Sequence, residues 1–306
     1  MAAEPYDMLV AGSGPAGMTA ALYGRRLGLK TIVFGDIPGG NLYMIGNLSN
    51  FPGFIDGISG MELGAKLFQQ AQAEGAEFTM SRLKKLQRAA GGLFQALDAD
   101  GQSHLATTAV IATGRVPLRL STGKAGLKGV HFCSVCDGPL YRNRNATLAV
   151  VGSDNAAAQH ATTLARIAQK VLLIHRSTQP RMDAGHMALV QRQENITILG
   201  DTELVDLEGL DMLESLVLQS RSGQRRDIPV DGLFLAMGWR PNTDLLDLPL
   251  EKTIDGYLKT DTRLMTSFPG LFAAGDVRDT DLWQVLLACA DGARAAKYAA
   301  EYISGN

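Results

Sequence analysis

The sequence predicts an α/β fold of two Rossmann-like βαβ nucleotide-binding lobes, the second inserted into the first. Three observations carry this. Met8-Leu9-Val10-Ala11 runs into Gly12-Ser13-Gly14-Pro15-Ala16-Gly17: a short apolar strand, a glycine turn and the start of an Ala-rich helix. The same order returns at Leu148-Ala149-Val150-Val151, followed by Gly152-Ser153-Asp154-Asn155-Ala156-Ala157. Each helix leads to a second apolar run, Thr31-Ile32-Val33-Phe34 and Val171-Leu172-Leu173-Ile174, which completes the repeated unit.

The length of 306 residues suits two domains. Val110-Ile111-Ala112-Thr113-Gly114 and Leu233-Phe234-Leu235-Ala236-Met237-Gly238 each read as a strand ending at glycine, and proline follows both, at Pro117 and Pro241. These are the expected crossings between lobes. The first lobe is then 1–116 plus 245–306, and the inserted lobe is 117–244. In the returning segment, residues 261–276 read as strand and turn, and Gln284 to Tyr302 as an Ala-rich helix.

Composition narrows the function classes. A net charge of −2 leaves no electrostatic footprint for nucleic acid or an anionic membrane. The 34 glycines exceed the usual share of about 7% and suit the close backbone approaches of dinucleotide sites. Three cysteines cannot build a disulfide scaffold, so a reducing compartment is expected. No signal-like start and no apolar run of about 18 residues is visible, which reads as a cytoplasmic protein.

The turn Gly12-x-Gly14-x-x-Gly17 follows a strand and opens a helix, the context a dinucleotide fingerprint needs. Its first glycine makes the turn, its second admits a pyrophosphate and its third lets helix pack on strand. The helix N-terminus then stabilises the phosphate charge. Asp36, just past the second strand, is the candidate for the ribose, against a plain turn aspartate.

Cys133-Ser134-Val135-Cys136 is followed by Asp137-Gly138-Pro139. Two thiols at this spacing at a helix start can close a reversible disulfide, with one thiol made reactive by the helix dipole. Zinc would need two further ligands, and His131 alone does not complete a site. A pair of buried bystander thiols is the third reading. Asp137 could move a proton during thiol exchange or cap the helix. Cys289, in an Ala-rich helical stretch, reads as a small buried hydrophobe.

Six spaced motifs together resemble the low-molecular-weight thioredoxin reductases over essentially the whole chain. They are Gly12-Ser13-Gly14-Pro15-Ala16-Gly17, Gly39-Gly40-Asn41-Leu42, Ala112-Thr113-Gly114, Cys133-x-x-Cys136-Asp137-Gly138, Gly238-x-x-Pro241-Asn242 and Ala273-Ala274-Gly275-Asp276. The resemblance implies a homodimeric FAD enzyme whose inserted lobe carries the redox dithiol, normally binds NADPH and swings relative to the FAD lobe. It places Gly12, Gly14, Gly17, Asn41 and Asp276 around FAD. Pro15, Ala16, Asp36, Gly40, Leu42, Asn50, Ala112, Thr113, Gly114, Gly275, Trp283, Gln284 and Val285 complete the candidate set. It makes Cys136 the thiol facing the flavin and Cys133 the one that attacks the partner, a thioredoxin-like protein disulfide.

Three departures stand out. The family's nicotinamide-dinucleotide turn reads Gly-Gly-Gly-Asp-Ser-Ala followed by two Glu. Here Asp154 stands where the second turn glycine would admit the pyrophosphate, and Gln159-His160 follow. A carboxylate beside a diphosphate costs on the order of 1–4 kcal/mol. The family's pair of 2′-phosphate arginines is reduced to His175-Arg176-Ser177 with Arg181 beyond. The family's Arg-Gln-Ala before the last helix is Trp283-Gln284-Val285, where Trp283 could stack on the flavin or pack in a dimer interface. These departures resemble the pyridine-nucleotide-independent branches, which take electrons from ferredoxin or hold a second flavin. Gly152, Asn155, Ala156, His175, Arg176 and Arg181 are the candidates for a second nucleotide or flavin. The expectation is therefore an FAD-dependent disulfide oxidoreductase with a degenerate NADPH site and ferredoxin or a second FAD as donor. The alternatives are an NADPH-dependent thioredoxin reductase and, in another class, a non-catalytic flavin-binding redox sensor. A ferredoxin–NADP reductase would share the lobes but lack the cysteine pair.

Overall fold

A computed structural model describes residues 4–45, 48, 50–118, 127–132 and 134–305, and of Cys136 the backbone alone. The chain divides into two units, 1–116 with 240–306, and 117–239.

The first unit opens with β1 (Tyr6–Ala11), α1 (Pro15–Arg26) and β2 (Thr31–Phe34). Met8 to Ala11 are fully buried, as a central parallel strand covered on both faces requires. Proline at its first helical position starts α1, and Arg25 and Arg26 complement its C-terminal dipole. Helix α2 (Gly60–Ala73) begins with a capping pair: Ser59 Oγ accepts from the Glu62 amide. Then follow β3 (Glu77–Thr79), β4 (Leu83–Arg88), β5 (Phe94–Asp98) and β6 (Ser103–Ile111). The sheet order is β3-β2-β1-β6-β5-β4, parallel through β6 and antiparallel from β6 to β4.

The chain passes into the second unit within β7 (Arg115–Pro117). The unit holds β8 (Val130–His131), α3 (Ser134–Asp137), β9 (Thr147–Val151), α4 (Asn155–Ala165), β10 (Lys170–Ile174), α5 (Ala184–Gln191) and β11 (Ile196–Leu199). An antiparallel sheet, β12 (Thr202–Glu208), β13 (Ser215–Ser220) and β14 (Arg225–Pro229), precedes β15 (Gly232–Leu235). The parallel sheet runs β11-β10-β9-β15-β8. Its core joins Leu148, Val150, Leu173 and Phe234 to the Ala157, Ala161 and Leu164 face of α4.

The chain leaves this unit within β16 (Trp239–Pro241), adds β17 (Leu271–Ala273) parallel to β6, and ends in α6 (Val285–Ser304). By packing, the return falls at 239/240, five residues before the sequence boundary. The Asn242 amide donates to the Gly114 carbonyl, and Thr113 Oγ1 donates to the Asn242 carbonyl. Those bonds fasten residues 240–244 to the first unit. Alanines of α1 and α6, among them Ala16, Ala20, Ala288 and Ala295, share one buried cluster. Among the described residues no helix is long and apolar enough to cross a membrane.

Candidate functional site

The first unit gathers five separated segments around the start of α1. Gly12 has φ +116° and a Cβ there would overlap the Ala112 carbonyl, so only glycine serves. A Cβ at Gly17 would overlap the Gly12 carbonyl, which locks helix against turn. Gly14 differs: a Cβ there would meet only the Gly39 carbonyl, at 4.0 Å. Among the described residues no side chain caps α1, and its first turn holds no acidic residue. Pro15 carries no N–H, so the amides of Ala16 and Gly17 are the donors left at the place where a diphosphate would lie. This is a cradle that fits the pyrophosphate of a dinucleotide.

The other segments close on this point. Gly40 packs toward Gly14, and Leu42 beside it is buried. Asn41 Nδ2 donates to the Arg115 carbonyl at 2.8 Å. Gly275 lies against Ala16 and Ala288. Arg115 Nε donates to Asp276 Oδ2 at 3.3 Å. Burial pushes the Asp276 carboxyl above its usual range, and the Arg115 charge opposes that. Asn50 Nδ2 donates to Gln284 Oε1 at 2.8 Å, and Val285 begins α6. Asp36 is held in an ion pair with Arg82. Trp283 stands with the Arg115 guanidinium 4.7 Å from its ring and Tyr257 at 5.7 Å. Arg115, which ties Asn41, Asp276 and Trp283 together, was missed in the sequence. Its place directly after Ala112-Thr113-Gly114 was the available signal.

In the second unit Cys133 lies outside the described residues, and Cys136 sits in α3. That helix is a single turn, so the dipole invoked for the pair is only that of one turn. Asp137 ends α3, and among the described residues its side chain makes no cap bond to the turn that follows. Its carboxylate instead meets His131 Nδ1 at 3.2 Å. The opposite ring nitrogen, Nε2, lies 2.7 Å from Tyr141 Oη. The imidazole stacks on Phe234 at 4.9 Å. Burial holds His131 below the ordinary histidine value, with Asp137 pulling the other way. Burial, with the charges of Asp137 and Asp231, pushes Tyr141 up against an opposing Arg144. No sequence spacing links His131, Asp137 and Tyr141, so the cluster was not legible. Cys289 is half-buried on α6, and burial raises its thiol against a hydrogen bond with Thr19.

The second glycine turn is built differently from the first. Gly152 is packed against the Ala236 carbonyl, as Gly12 is against Ala112. Asp154 is the N-cap of α4, its Oδ1 accepting from the Ala157 amide at 3.1 Å. Asn155, at the start of α4 before Ala156, exchanges two bonds with Asp183: Nδ2 donates to its Oδ2, and Oδ1 accepts from its amide. The Arg181 amide donates to the Ser153 carbonyl at 2.6 Å, which brings Arg181 to the turn. Arg176 is exposed, whereas His175 is buried with Nδ1 3.3 Å from Ser177 Oγ. The structure thus joins Gly152, Asn155, Ala156 and Arg181, and gives His175 an interior position.

The pyridine nucleotide-disulphide oxidoreductase family matches residues 6–295. A thioredoxin reductase of Listeria monocytogenes is 34% identical over 305 residues, spanning 97% of this chain and 94% of that protein. The crystal structure of Lactococcus lactis thioredoxin reductase superposes with a TM-score of 0.87 at 30% identity, covering 98% of this chain and 100% of that one. A ferredoxin–flavin thioredoxin reductase from Clostridium acetobutylicum gives a TM-score of 0.54 at 26% identity, covering 99% of each chain. With its paired nucleotide-binding sheets and Cys-x-x-Cys-Asp segment, this chain belongs to the pyridine nucleotide-disulphide oxidoreductases, as a flavin-dependent disulfide oxidoreductase of thioredoxin reductase type.

Proposed function

We propose that the chain reduces the disulfide of a thioredoxin-like protein, using FAD in the first unit and the Cys133–Cys136 dithiol in the second. The observation that carries the reading is the uncapped start of α1 beside Gly14, joined by Asn41, Asp276 and Gln284 from distant segments. FAD, when bound there, supplies the electron pair. The amides at the start of α1 would hold its diphosphate, and Asn41, Asp276 and Gln284 would orient the rest. In the dithiol, Cys133 attacks the partner disulfide and Cys136 resolves the mixed disulfide, with Asp137 accepting a thiol proton.

For the donor, the curated relatives are thioredoxin reductases by name, and the family resemblance alone links NADPH to the second glycine turn. They lend nothing to a second flavin in that unit. One observation favours a different donor, ferredoxin: Asp154 places a carboxylate on the first turn of α4, where a diphosphate would need it uncharged or absent.

The test is anaerobic. Purified protein carrying FAD is mixed in turn with NADPH and with reduced ferredoxin, and the flavin absorbance is followed before oxidised thioredoxin is added. Rapid bleaching by NADPH, then recovery with thioredoxin, supports the NADPH enzyme. Bleaching by ferredoxin alone supports the second reading. Failure of thioredoxin to reoxidise the reduced protein sinks the proposal as a whole.

A further inference from the structure

Two residues before Cys133 in the sequence, His131 is engaged at both ring nitrogens and on one ring face. Asp137 faces Nδ1 from α3, and Tyr141 faces Nε2 from the turn that follows it. Phe234 of β15 covers one ring face. The side chain is only 12% exposed. The further charged groups acting on the cluster are Asp231 and Arg144, both through Tyr141. The tyrosine hydroxyl can donate to a neutral imidazole or accept from a protonated one. The Asp137–His131 pair can therefore take up one proton with both ring nitrogens still hydrogen-bonded.

Thiol exchange needs such a reservoir. Cys133, as thiolate, forms a bond to one partner sulfur; the partner S–S bond breaks, and the released sulfur takes a proton. Cys136 then loses its proton as it bonds to Cys133, which breaks the mixed disulfide and releases the second partner sulfur. Two electrons and two protons pass to the partner in all, and one of those protons leaves Cys136 beside Asp137 in sequence. We propose that His131 is a positioning residue for this step: it fixes the Asp137 carboxylate and, with Tyr141, lets the pair store the Cys136 proton. This rests on the dithiol reading above, and it adds a role that Asp137 alone would not fill.

The coupling is reciprocal, so the redox state of the pair must alter the titration of His131. Selective histidine labelling suits the full chain, which has five histidines, and His131→Gln assigns the resonance. The midpoint of His131 should differ by about half a pH unit or more between oxidised and reduced protein, and the difference should vanish in Asp137→Asn. Alkylation of the reduced thiols by iodoacetamide should show a pH inflection that His131→Gln removes. Tyr141→Phe, which deletes one oxygen from an otherwise kept ring, should shift it less and guards against a misfolded His131 variant. Identical His131 titrations in both redox states, or superimposable alkylation profiles for the wild type and both His131→Gln and Tyr141→Phe, would overturn the proposal. A thiol count that does not rise on reduction would instead remove the disulfide reading beneath it.

Discussion

Arg115 and Asp276 stand 161 residues apart in the chain and meet at 3.3 Å, with Asn41 bonded to the same arginine's carbonyl. Both charged side chains are largely buried, at 19% and 30% exposure. Replacing Arg115 by Met leaves a desolvated carboxylate without its cation and should cost about 1–3 kcal/mol. Thermal unfolding of the apoprotein and the flavin-to-protein ratio should both fall. Unchanged values of both would show that the pair contributes nothing to the site.

The two helix-side glycines of the first turn should fail in different ways. Gly17→Ala drives a methyl into the Gly12 carbonyl and should destabilise the apoprotein by about 1–3 kcal/mol or more. Gly14→Ala finds space and an ordinary φ of −79°, so apoprotein stability should stay within about 0.5 kcal/mol. Its flavin uptake should nevertheless collapse, because the methyl occupies the diphosphate's approach. Normal flavin binding by Gly14→Ala would remove the cradle from the scheme.

Asp154→Gly addresses the donor. Losing the α4 cap to glycine should cost only a few tenths of a kcal/mol. Relief of the charge conflict should speed flavin reduction by NADPH roughly tenfold, the equivalent of about 1.4 kcal/mol. Stopped-flow absorbance reads this directly. No gain would mean that the carboxylate does not face the nucleotide.

Acid should weaken the second unit through two histidines. Burial holds both His131 and His160 below the ordinary 6.5, while Asp137 and Asp154 respectively pull upward. The unfolded chain therefore takes up protons near 6.5 that the folded chain takes up only at lower pH. Their contribution is complete above about pH 6.5 and is lost as pH falls from there through the folded values. Among the described residues His160 Nδ1 also finds no hydrogen-bond partner, though it is buried. Urea midpoints between pH 8 and 5 should fall less steeply in His160→Gln than in the wild type; parallel curves would refute the assignment.

Much of the first site was legible because its signals are local. Gly12, Gly14 and Gly17 act within one turn, and the strands around them are apolar runs whose burial follows from their composition. Asn41 and Asp276 came from the family resemblance. Arg115 escaped because its partners lie far away in sequence, and an arginine in a connecting segment carries no periodicity.

By itself the sequence determined the two βαβ repeats, the position of the redox pair and the charge at Asp154, since strand pattern, turn glycine and residue identity are properties of contiguous residues. The tertiary structure alone decided what those groups face. It set Asp137 against His131, bent Asp154 back onto the Ala157 amide, and sent His175 inward. The reason is physical: a polar side chain's role is set by the partners that folding brings within hydrogen-bond reach, and those partners come from other segments.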